Sequence, residues 1–222
     1  MYNDCMPIRS YEIRVCNSCG LRYPLVERHP FGTRCPVCRG DTRVVLERQL
    51  HTESHVGGQR KDETGKKLAV LLDNLRSAWN VGSILRSADG FGFTHAYLCG
   101  ITPAGDHEAV TKTSLGAENS VPWTYHKDAV SLARGLKVEG WKVYALEDDE
   151  RALEISSVDN WTSVNEQEVL VVGNEVTGVD PGLLDLCDKI LYIPMRGEKK
   201  SFNVGIAFGI AAYALSAQTV GR

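Results

Sequence analysis

Four cysteines near the N-terminus are spaced in a way that suits metal binding. Cys16 and Cys19 form one Cys-x-x-Cys pair, Cys35 and Cys38 form a second, and 15 residues separate the two pairs. Each pair can present two thiolates from one tight turn, and four thiolates complete the tetrahedral shell of a structural zinc ion. Two redox disulfides or a chance arrangement are the alternatives. The chain holds seven cysteines, and an odd count fits a reducing compartment better than a disulfide framework.

Three further groups of polar residues could bind a ligand. The first contains Asn80 and Arg86, the second is the turn from Gly173 to Gly178 around Glu175, and the third joins Ile193 to Ser201 and Asn203. The third group leads through a charged loop to the predicted start of a helix. Free N–H groups and the helix dipole favour anions and polar ligands at such a start. Taken singly, each group is equally well explained by helix capping, ion pairing or turn closure.

The segments that carry these groups alternate between predicted strands and helices. This alternation predicts an α/β domain with a mainly parallel sheet. The strands are predicted at residues 68–73, 95–99, 141–146, 169–173 and 189–193. The helices are predicted at 80–90, 106–114, 128–138, 181–187 and 204–215, with Asn80 as the cap of the first. All three polar groups follow predicted strand ends, where parallel sheets bind ligands.

In order and spacing, the three groups resemble the motifs of the SpoU/TrmH class of SPOUT RNA 2′-O-ribose methyltransferases. The motifs read N-x-G-x-x-x-R, G-x-E-x-x-G, and I-P-M-x-G followed by S-x-N. They correspond here to Asn80, Gly82 and Arg86; to Gly173, Glu175 and Gly178; and to Ile193, Pro194, Met195, Gly197, Ser201 and Asn203. The resemblance covers about residues 66–218. Phe202 stands where the family usually has Leu, and Gly205 where Ser is common.

The resemblance implies a C-terminal trefoil knot, S-adenosylmethionine bound within it, and a homodimer whose active sites draw on both subunits. The implied catalytic residues are Arg86, Asn80, Glu175, Ser201 and Asn203, and the implied cofactor-binding residues are Leu146, Gly173, Ile193, Met195 and Phe202. By motif position Arg86 is the family's catalytic arginine, which has been proposed as the general base. Because a guanidinium resists deprotonation, we favour an electrostatic anchor for the target phosphate and the developing alkoxide.

The last predicted helix, residues 204–215, has small residues along one face. Gly205, Gly209 and Ala212 fall at i, i+4 and i+7, so another element must pack closely there to offset the cost of glycine in a helix. That element is either the sheet of the same chain or a second subunit. The resemblance favours the second subunit, because the helix is similar to the family's final helix at the dimer interface.

Charge is distributed unevenly along the 222 residues. Residues 1–67 contain 12 Lys and Arg against 8 Asp and Glu, whereas residues 68–222 contain 13 against 20. A basic N-terminal appendage suits contact with phosphate. Candidate contacts are Arg22, Arg28, Arg34, Arg39 and Arg43, although any one of them can equally be an ordinary solvated arginine. We therefore divide the chain into a zinc ribbon (1–50), a linker (51–67) and a SPOUT methyltransferase domain (68–222).

The predicted function is S-adenosylmethionine-dependent methyl transfer to a ribose 2′-hydroxyl in structured RNA, either tRNA or rRNA. The alternative is a non-catalytic RNA-binding protein in which a zinc ribbon is attached to a methyltransferase-like dimer. A nicotinamide-dependent oxidoreductase is disfavoured because no G-x-G-x-x-G follows the first strand. No apolar run is long enough for a membrane span and no signal-peptide core is present, so a cytoplasmic location is expected.

Overall fold

The computed structural model describes residues 10–27, 29, 32–49, 67–157 and 167–217. The chain divides into two compact units, Met1–Gln59 and Arg60–Arg222. The predicted linker at 51–67 lies outside the described residues, except for Lys67, which begins a strand.

The N-terminal unit is a small antiparallel sheet with two cysteine-bearing turns. Its strands are β1 (Ser10–Cys16), β2 (Arg22–Val26) and β3 (Thr42–Gln49), arranged in the order β2-β1-β3. The first cysteine turn joins β1 to β2, and the second precedes β3. The apolar residues between Thr42 and Leu46 predict one strand in this unit; the structure extends it to Gln49 and adds β1 and β2. Polar residues interrupt β1 and Pro24 interrupts β2, which hides the usual strand pattern, and most side chains of all three strands remain at least partly exposed.

The C-terminal unit is built on a seven-stranded sheet with all described pairs parallel. Its order is β6-β5-β4-β9-β7-β10-β8. The strands are β4 (Lys67–Asp73), β5 (His95–Cys99), β6 (Trp123–His126), β7 (Lys142–Leu146), β8 (Leu153–Glu154), β9 (Gln167–Val172) and β10 (Lys189–Tyr192). The central strands β4 and β9 are nearly continuous apolar runs because helices cover both faces of the sheet. The prediction of an α/β fold with a mainly parallel sheet is confirmed.

The described residues of this unit also form six α-helices. They are α1 (Ala78–Gly90), α2 (Glu108–Ser114), α3 (Ala117–Ser120), α4 (Ala129–Val138), α5 (Pro181–Leu184) and α6 (Val204–Ala217). Helices α1 and α6 contribute to the core on one face of the sheet, where Phe93 and Phe208 meet edge to face at 5.2 Å between ring centroids. Helices α4 and α5 contribute to the core on the other face. Within the described residues, no helix combines the length and apolar character needed to cross a membrane.

The structure corrects three predicted helix boundaries. Ser77, not Asn80, caps α1: its hydroxyl accepts a hydrogen bond from the Asn80 N–H at 3.3 Å. Asn80 therefore lies within the first turn, and its side chain is available for other contacts. Helix α2 begins at Glu108 rather than residue 106, because the His107 ring accepts the Ala109 N–H at 3.1 Å. Helix α5 ends at Leu184 rather than residue 187.

The small residues of α6 pack against their own chain at two of three positions. Gly205 and Ala212 are buried, and a Cβ added at Gly205 would lie 3.4 Å from the Ser83 hydroxyl of α1. Gly209 has no such close neighbour. The exposed side of α6 is a different one, formed by Ile206, Ile210 and Tyr213. The small face therefore packs within its own chain, but its neighbour at Gly205 is α1, whereas the intrachain alternative named the sheet.

Candidate functional site

A cavity of about 790 Å³ opens at the carboxyl ends of β7, β9 and β10. Its walls include the turn after β9 and the loop that precedes α6. All five predicted cofactor-binding residues line it: Leu146, Gly173, Ile193, Met195 and Phe202. Three predicted catalytic residues, Glu175, Ser201 and Asn203, line it as well, whereas Asn80 and Arg86 do not.

The three sequence motifs meet in one hydrogen-bonded network at the edge of this cavity. The Asn80 Nδ2 donates to the Glu175 carboxylate at 2.9 Å, and the Asn203 Nδ2 donates to the Asn80 Oδ1 at 3.0 Å. The Asn203 Oδ1 accepts from the Gly205 N–H at 3.0 Å and so caps the start of α6. Residues 80, 175 and 203 are far apart in the chain but adjacent in the fold.

Glu175 also binds the start of α1. Its two carboxylate oxygens accept the N–H groups of Arg76 and Ser77 at 3.0 and 3.1 Å. Partial burial raises the pKa of Glu175, but the donors from Arg76, Asn80 and Ser77 lower it more, so the net pKa lies below its usual value. Glu175 is therefore a carboxylate at neutral pH. It acts as an acceptor that fixes α1 against the turn after β9, and a proton donor role does not fit it.

The turn after β9 needs glycine at both ends. Backbone hydrogen bonds of 3.0 and 2.9 Å join Asn174 and Gly178 in both directions. A Cβ at Gly173 would lie 2.3 Å from the carbonyl carbon of Gly178, which is far too close. Gly178 has a φ of +73°, and a Cβ there would lie 2.4 Å from the Glu147 carboxylate. Both glycines of the second motif therefore allow close backbone packing beside the cavity.

Three residues that are not part of the predicted motifs also make hydrogen bonds with this turn or with the two residues that follow it: Asp73, Asn74 and Glu147. The buried Asp73 carboxylate accepts the Asp180 N–H at 2.9 Å, and burial raises the pKa of Asp73 above its usual value. The Asn174 Nδ2 donates to the Asn74 carbonyl at 2.7 Å, and the Glu147 carboxylate accepts the Val179 N–H at 2.8 Å. The only signal for Asp73 in the sequence was an acid at the end of an apolar strand.

Arg86 lies outside the network. It is exposed on α1, six residues beyond Asn80, and within the described part of the chain no hydrogen bond or ion pair involves its guanidinium. Exposed cations also occur on the loop before α6, where Lys199 and Lys200 line the cavity next to Ser201. The structure thus brings four of the five predicted catalytic residues to one place and leaves Arg86 facing solvent.

The four N-terminal cysteines form a cluster with the dimensions of a metal site. All four sulfur atoms lie within 4.8 Å of one another, with 3.4 Å between Cys16 and Cys38 and 3.7 Å between Cys19 and Cys35. Zinc–sulfur bonds of about 2.3 Å in a tetrahedron place sulfurs about 3.8 Å apart. The N–H groups of Ser18 and Cys19 both point at the Cys16 sulfur at 3.4 Å, which favours its thiolate form. The donor set and its spacing fit zinc.

The two cysteine turns have the same backbone pattern. The Cys16 N–H donates to the Leu21 carbonyl at 2.9 Å, and the Cys35 N–H donates to the Gly40 carbonyl at 3.0 Å. The fifth residue of each turn has a positive φ, and in the second turn it is Arg39 at 61°. A glycine just after each cysteine pair, Gly20 and Gly40, would be expected to allow the chain reversal. Gly40 instead provides space, since a Cβ on it would lie 2.5 Å from the Ser18 hydroxyl.

The C-terminal unit is thus an α/β domain whose candidate ligand site lies at the carboxyl ends of a parallel sheet. The profile of the SpoU rRNA methylase family matches residues 67–213. The chain belongs to the SpoU rRNA methylase family.

Individual relatives agree with this assignment. The chain is 30% identical over 173 residues to the 23S rRNA (guanosine-2′-O-)-methyltransferase RlmB of Xanthomonas axonopodis, covering 78% of this chain and 68% of that protein. It is 31% identical over 174 residues to the 23S rRNA (guanosine(2553)-2′-O)-methyltransferase RlmP of Bacillus subtilis, covering 78% and 67%.

Solved structures show the same fold. The A. aeolicus TrmH/SpoU tRNA modifying enzyme matches with a TM-score of 0.60 at 29% identity, covering 68% of this chain and 75% of that one. Several other structures of this fold are longer, and the chain spans 57–60% of their length.

Proposed function

We propose that this chain transfers a methyl group from S-adenosylmethionine to a ribose 2′-hydroxyl of tRNA or rRNA. The observation that carries the proposal is the convergence of all three motifs in one network beside a ligand-sized cavity. The names of the relatives support the reaction, because they include 2′-O-methyltransferases of rRNA. One of the similar solved structures is a tRNA modifying enzyme, so the proposal includes both tRNA and rRNA as substrates.

The cavity suits S-adenosylmethionine in size and lining. Its volume of about 790 Å³ falls within the usual range for cofactor sites. Leu146, Ile193 and Met195 offer apolar surface for an adenine ring, and the backbone at Gly173 and Phe202 can approach the ligand closely. When bound, S-adenosylmethionine supplies a methyl group already activated on a sulfonium. The chain's own residues must then position the ribose.

We assign positioning to the network and electrostatic stabilisation to Arg86. Glu175, Asn80 and Asn203 hold the rim of the cavity in one arrangement, and we assign to Ser201, which lines the cavity, a hydrogen bond to the ribose. Arg86, exposed and charged, anchors the target phosphate and stabilises negative charge that develops on the attacking oxygen. These roles do not require Arg86 to lose its proton.

A second subunit would explain the exposed apolar side of α6. Ile206, Ile210 and Tyr213 recur at i, i+4 and i+7 and are exposed in the single chain. Two copies of such a stripe can cover each other in a symmetric dimer. We therefore retain the homodimer, and with it the trefoil knot implied by the family resemblance, as proposals.

The N-terminal unit is proposed to bind zinc and to contact RNA. Arg22, Arg34, Arg39 and Arg43 are exposed on it, whereas Arg28 lies outside the described residues. Removal of residues 1–50 is expected to weaken RNA binding more than cofactor binding, and the lost affinity should depend on salt. Equal RNA affinity with and without this unit would reduce it to a stability element. We place the protein in the cytoplasm, where the target RNAs are found.

Replacement of Arg86 tests the proposed function. Arg86→Ala is expected to retain cofactor binding and dimer formation and to lose methyl transfer by orders of magnitude. Arg134→Ala, which removes an exposed arginine from α4, is the matched control and should remain active. Transfer is measured with labelled S-adenosylmethionine, and resistance of the labelled linkage to alkaline cleavage identifies the ribose 2′-oxygen.

Two results would contradict these assignments. Near-normal turnover of Arg86→Ala would remove Arg86 from the mechanism. Wild-type protein that binds RNA but shows neither affinity for S-adenosylmethionine nor methyl transfer would favour the non-catalytic RNA-binding alternative.

A further inference from the structure

One face of α1 carries an exposed tryptophan in line with Arg86. Trp79, Ser83 and Arg86 recur at i, i+4 and i+7, and all three are exposed, with 62% of Trp79 accessible. The opposite face of the helix, which includes Val81, Ile84, Leu85 and Ala88, is fully buried. The indole is therefore not needed for the core of this chain. A large aromatic ring held in solvent on a rigid helix is suited to bind a flat partner.

This face adjoins the candidate site. Asn80, the residue after Trp79, hydrogen-bonds to both Glu175 and Asn203. Ser83 lies against the first turn of α6, since a Cβ at Gly205 would come within 3.4 Å of its hydroxyl. Trp79 is thus fixed in the first turn of a helix whose start is bound by the cavity rim.

Two exposed arginines lie on either side of the indole in the chain, and the Glu175 carboxylate at the helix start is bound to the N–H groups of Arg76, Ser77 and Asn80. Exposed Arg76 precedes Trp79 by three residues, and exposed Arg86 follows it by seven, which is about 10 Å along the helix. No acidic residue occurs in α1 before Asp89. An aromatic ring between two cations matches a strand of nucleotides, whose bases have flat faces and whose backbone is anionic.

We propose that Trp79 stacks on an unpaired base of the target RNA while Arg86 contacts the backbone of the same short segment. The proposal rests on the proposed function, because it needs RNA to approach the cavity along α1. It makes Trp79 a residue that holds the substrate strand in register with the cavity. Stacking tolerates any base, but it needs a base whose flat face is free, so Trp79 would favour a flipped or single-stranded target over a paired one.

The test compares Trp79→Ala, Trp79→Phe and Val138→Ala in the 222-residue chain. Val138 is 90% exposed at the end of α4 and provides the control for loss of an exposed apolar side chain. Each variant is assayed for affinity to bulk tRNA and rRNA over a series of salt concentrations. Affinity for S-adenosylmethionine, oligomeric state and unfolding temperature are measured in parallel.

We expect Trp79→Ala to bind RNA about 5- to 150-fold more weakly, the range given by the loss of one stacked base. Trp79→Phe should recover most of this affinity, and Val138→Ala should match the wild type. Because stacking is uncharged, Trp79→Ala should keep the wild-type salt dependence, whereas Arg86→Ala should reduce the salt slope by about one phosphate contact.

Two outcomes would overturn the proposal. One is RNA affinity of Trp79→Ala within twofold of a wild type that methylates RNA. The other is dissociation of the oligomer in Trp79→Ala, which would make the indole a contact between copies of the chain. Failure of the wild type itself to bind the cofactor and transfer methyl groups would instead reject the proposed function.

Discussion

Replacing Gly82 with alanine tests whether close approach of α1 and α2 explains the glycine of the first motif. A Cβ at Gly82 would lie 1.9 Å from the Thr113 hydroxyl, 2.4 Å from the Val110 carbonyl oxygen and 3.0 Å from the Ser114 nitrogen. Thr113 can rotate only by giving up the hydrogen bonds of its hydroxyl to the Ala109 and Val110 carbonyls, at 3.3 and 3.1 Å. The carbonyl contact is 1.0 Å short of the 3.4 Å at which ordinary contact begins, so backbone must move.

The change in the free energy of unfolding of Gly82→Ala is the difference between the cost of overpacking and the gain in helix propensity. Overpacking of a tight contact costs about 1–3 kcal/mol, and the upper end applies because two of the three contacted atoms belong to the backbone. Alanine in place of glycine returns about 1 kcal/mol of helix propensity. The net loss is therefore about 2 kcal/mol, which lowers Tm by about 4–8 °C in a domain of this size.

Gly135 provides the matched control. It is exposed within α4, and no heavy atom lies within 4 Å of the position a Cβ would take. Gly135→Ala should therefore raise the free energy of unfolding by about 0.5–1 kcal/mol. Urea and thermal unfolding of both variants, monitored by circular dichroism, measure the difference. The explanation of Gly82 is refuted if Gly82→Ala unfolds at or above the wild-type midpoint, or if both substitutions shift it in the same direction.

Three further predictions concern charge and metal. Glu175→Gln should reduce methyl transfer, because the amide would turn its own N–H group toward N–H groups that now donate to the carboxylate. Since the pKa of Glu175 is lowered in the fold, the wild type should be more stable than the variant above about pH 4.5, and this advantage should vanish as pH falls through the lowered pKa. A difference in Tm that does not change with pH would contradict this. Purified protein should contain one zinc per chain by elemental analysis; Cys35→Ser should lose it while Cys187→Ser keeps it, and a metal-free wild type would reject the site. Burial and the nearby His126 lower the pKa of His95, so the folded chain binds fewer protons there than the unfolded chain. The contribution of neutral His95 to the free energy of unfolding should be fully present above about pH 6.5 and be lost as pH falls through the lowered pKa. His95→Gln should therefore flatten the dependence of Tm on pH between about pH 8 and 5, and an unchanged dependence would argue against this.

Much of the sheet was predictable because burial on both faces leaves a strong mark in the sequence. The strand β4 is an unbroken apolar run, and the strand β9 nearly so, and short runs of this kind are typical of strands covered on both faces. The strand β6 was missed since half-exposed Trp123 and exposed Thr124 and Tyr125 carry no such signal. Its existence depends on pairing with β5, which is a property of the fold and not of the local sequence.

The residues of the site were found by motif, but their contacts were not. The role of Asn80 illustrates the difference, because an asparagine before an apolar run is a reasonable helix cap and nothing local favours Ser77 over it. The choice is made by Glu175, nearly a hundred residues away, which binds Asn80 together with the N–H groups of Arg76 and Ser77. A carboxylate at that distance has no sequence signature.

The network also gives a physical reason for the separation of the motifs along the chain. Glu175 is carried by the turn after β9, Asn203 by the start of α6, and Asn80 by the first turn of α1. Each of these elements can be placed by its own packing contacts. The side chains of Asn80, Glu175 and Asn203 form their mutual hydrogen bonds only when all three elements are in place. The side of α1 that bears Trp79 and Arg86 is therefore held by the same bonds as the wall of the cavity. A substrate strand bound along α1 and a cofactor in the cavity would share one rigid frame, which is the condition for in-line transfer between them.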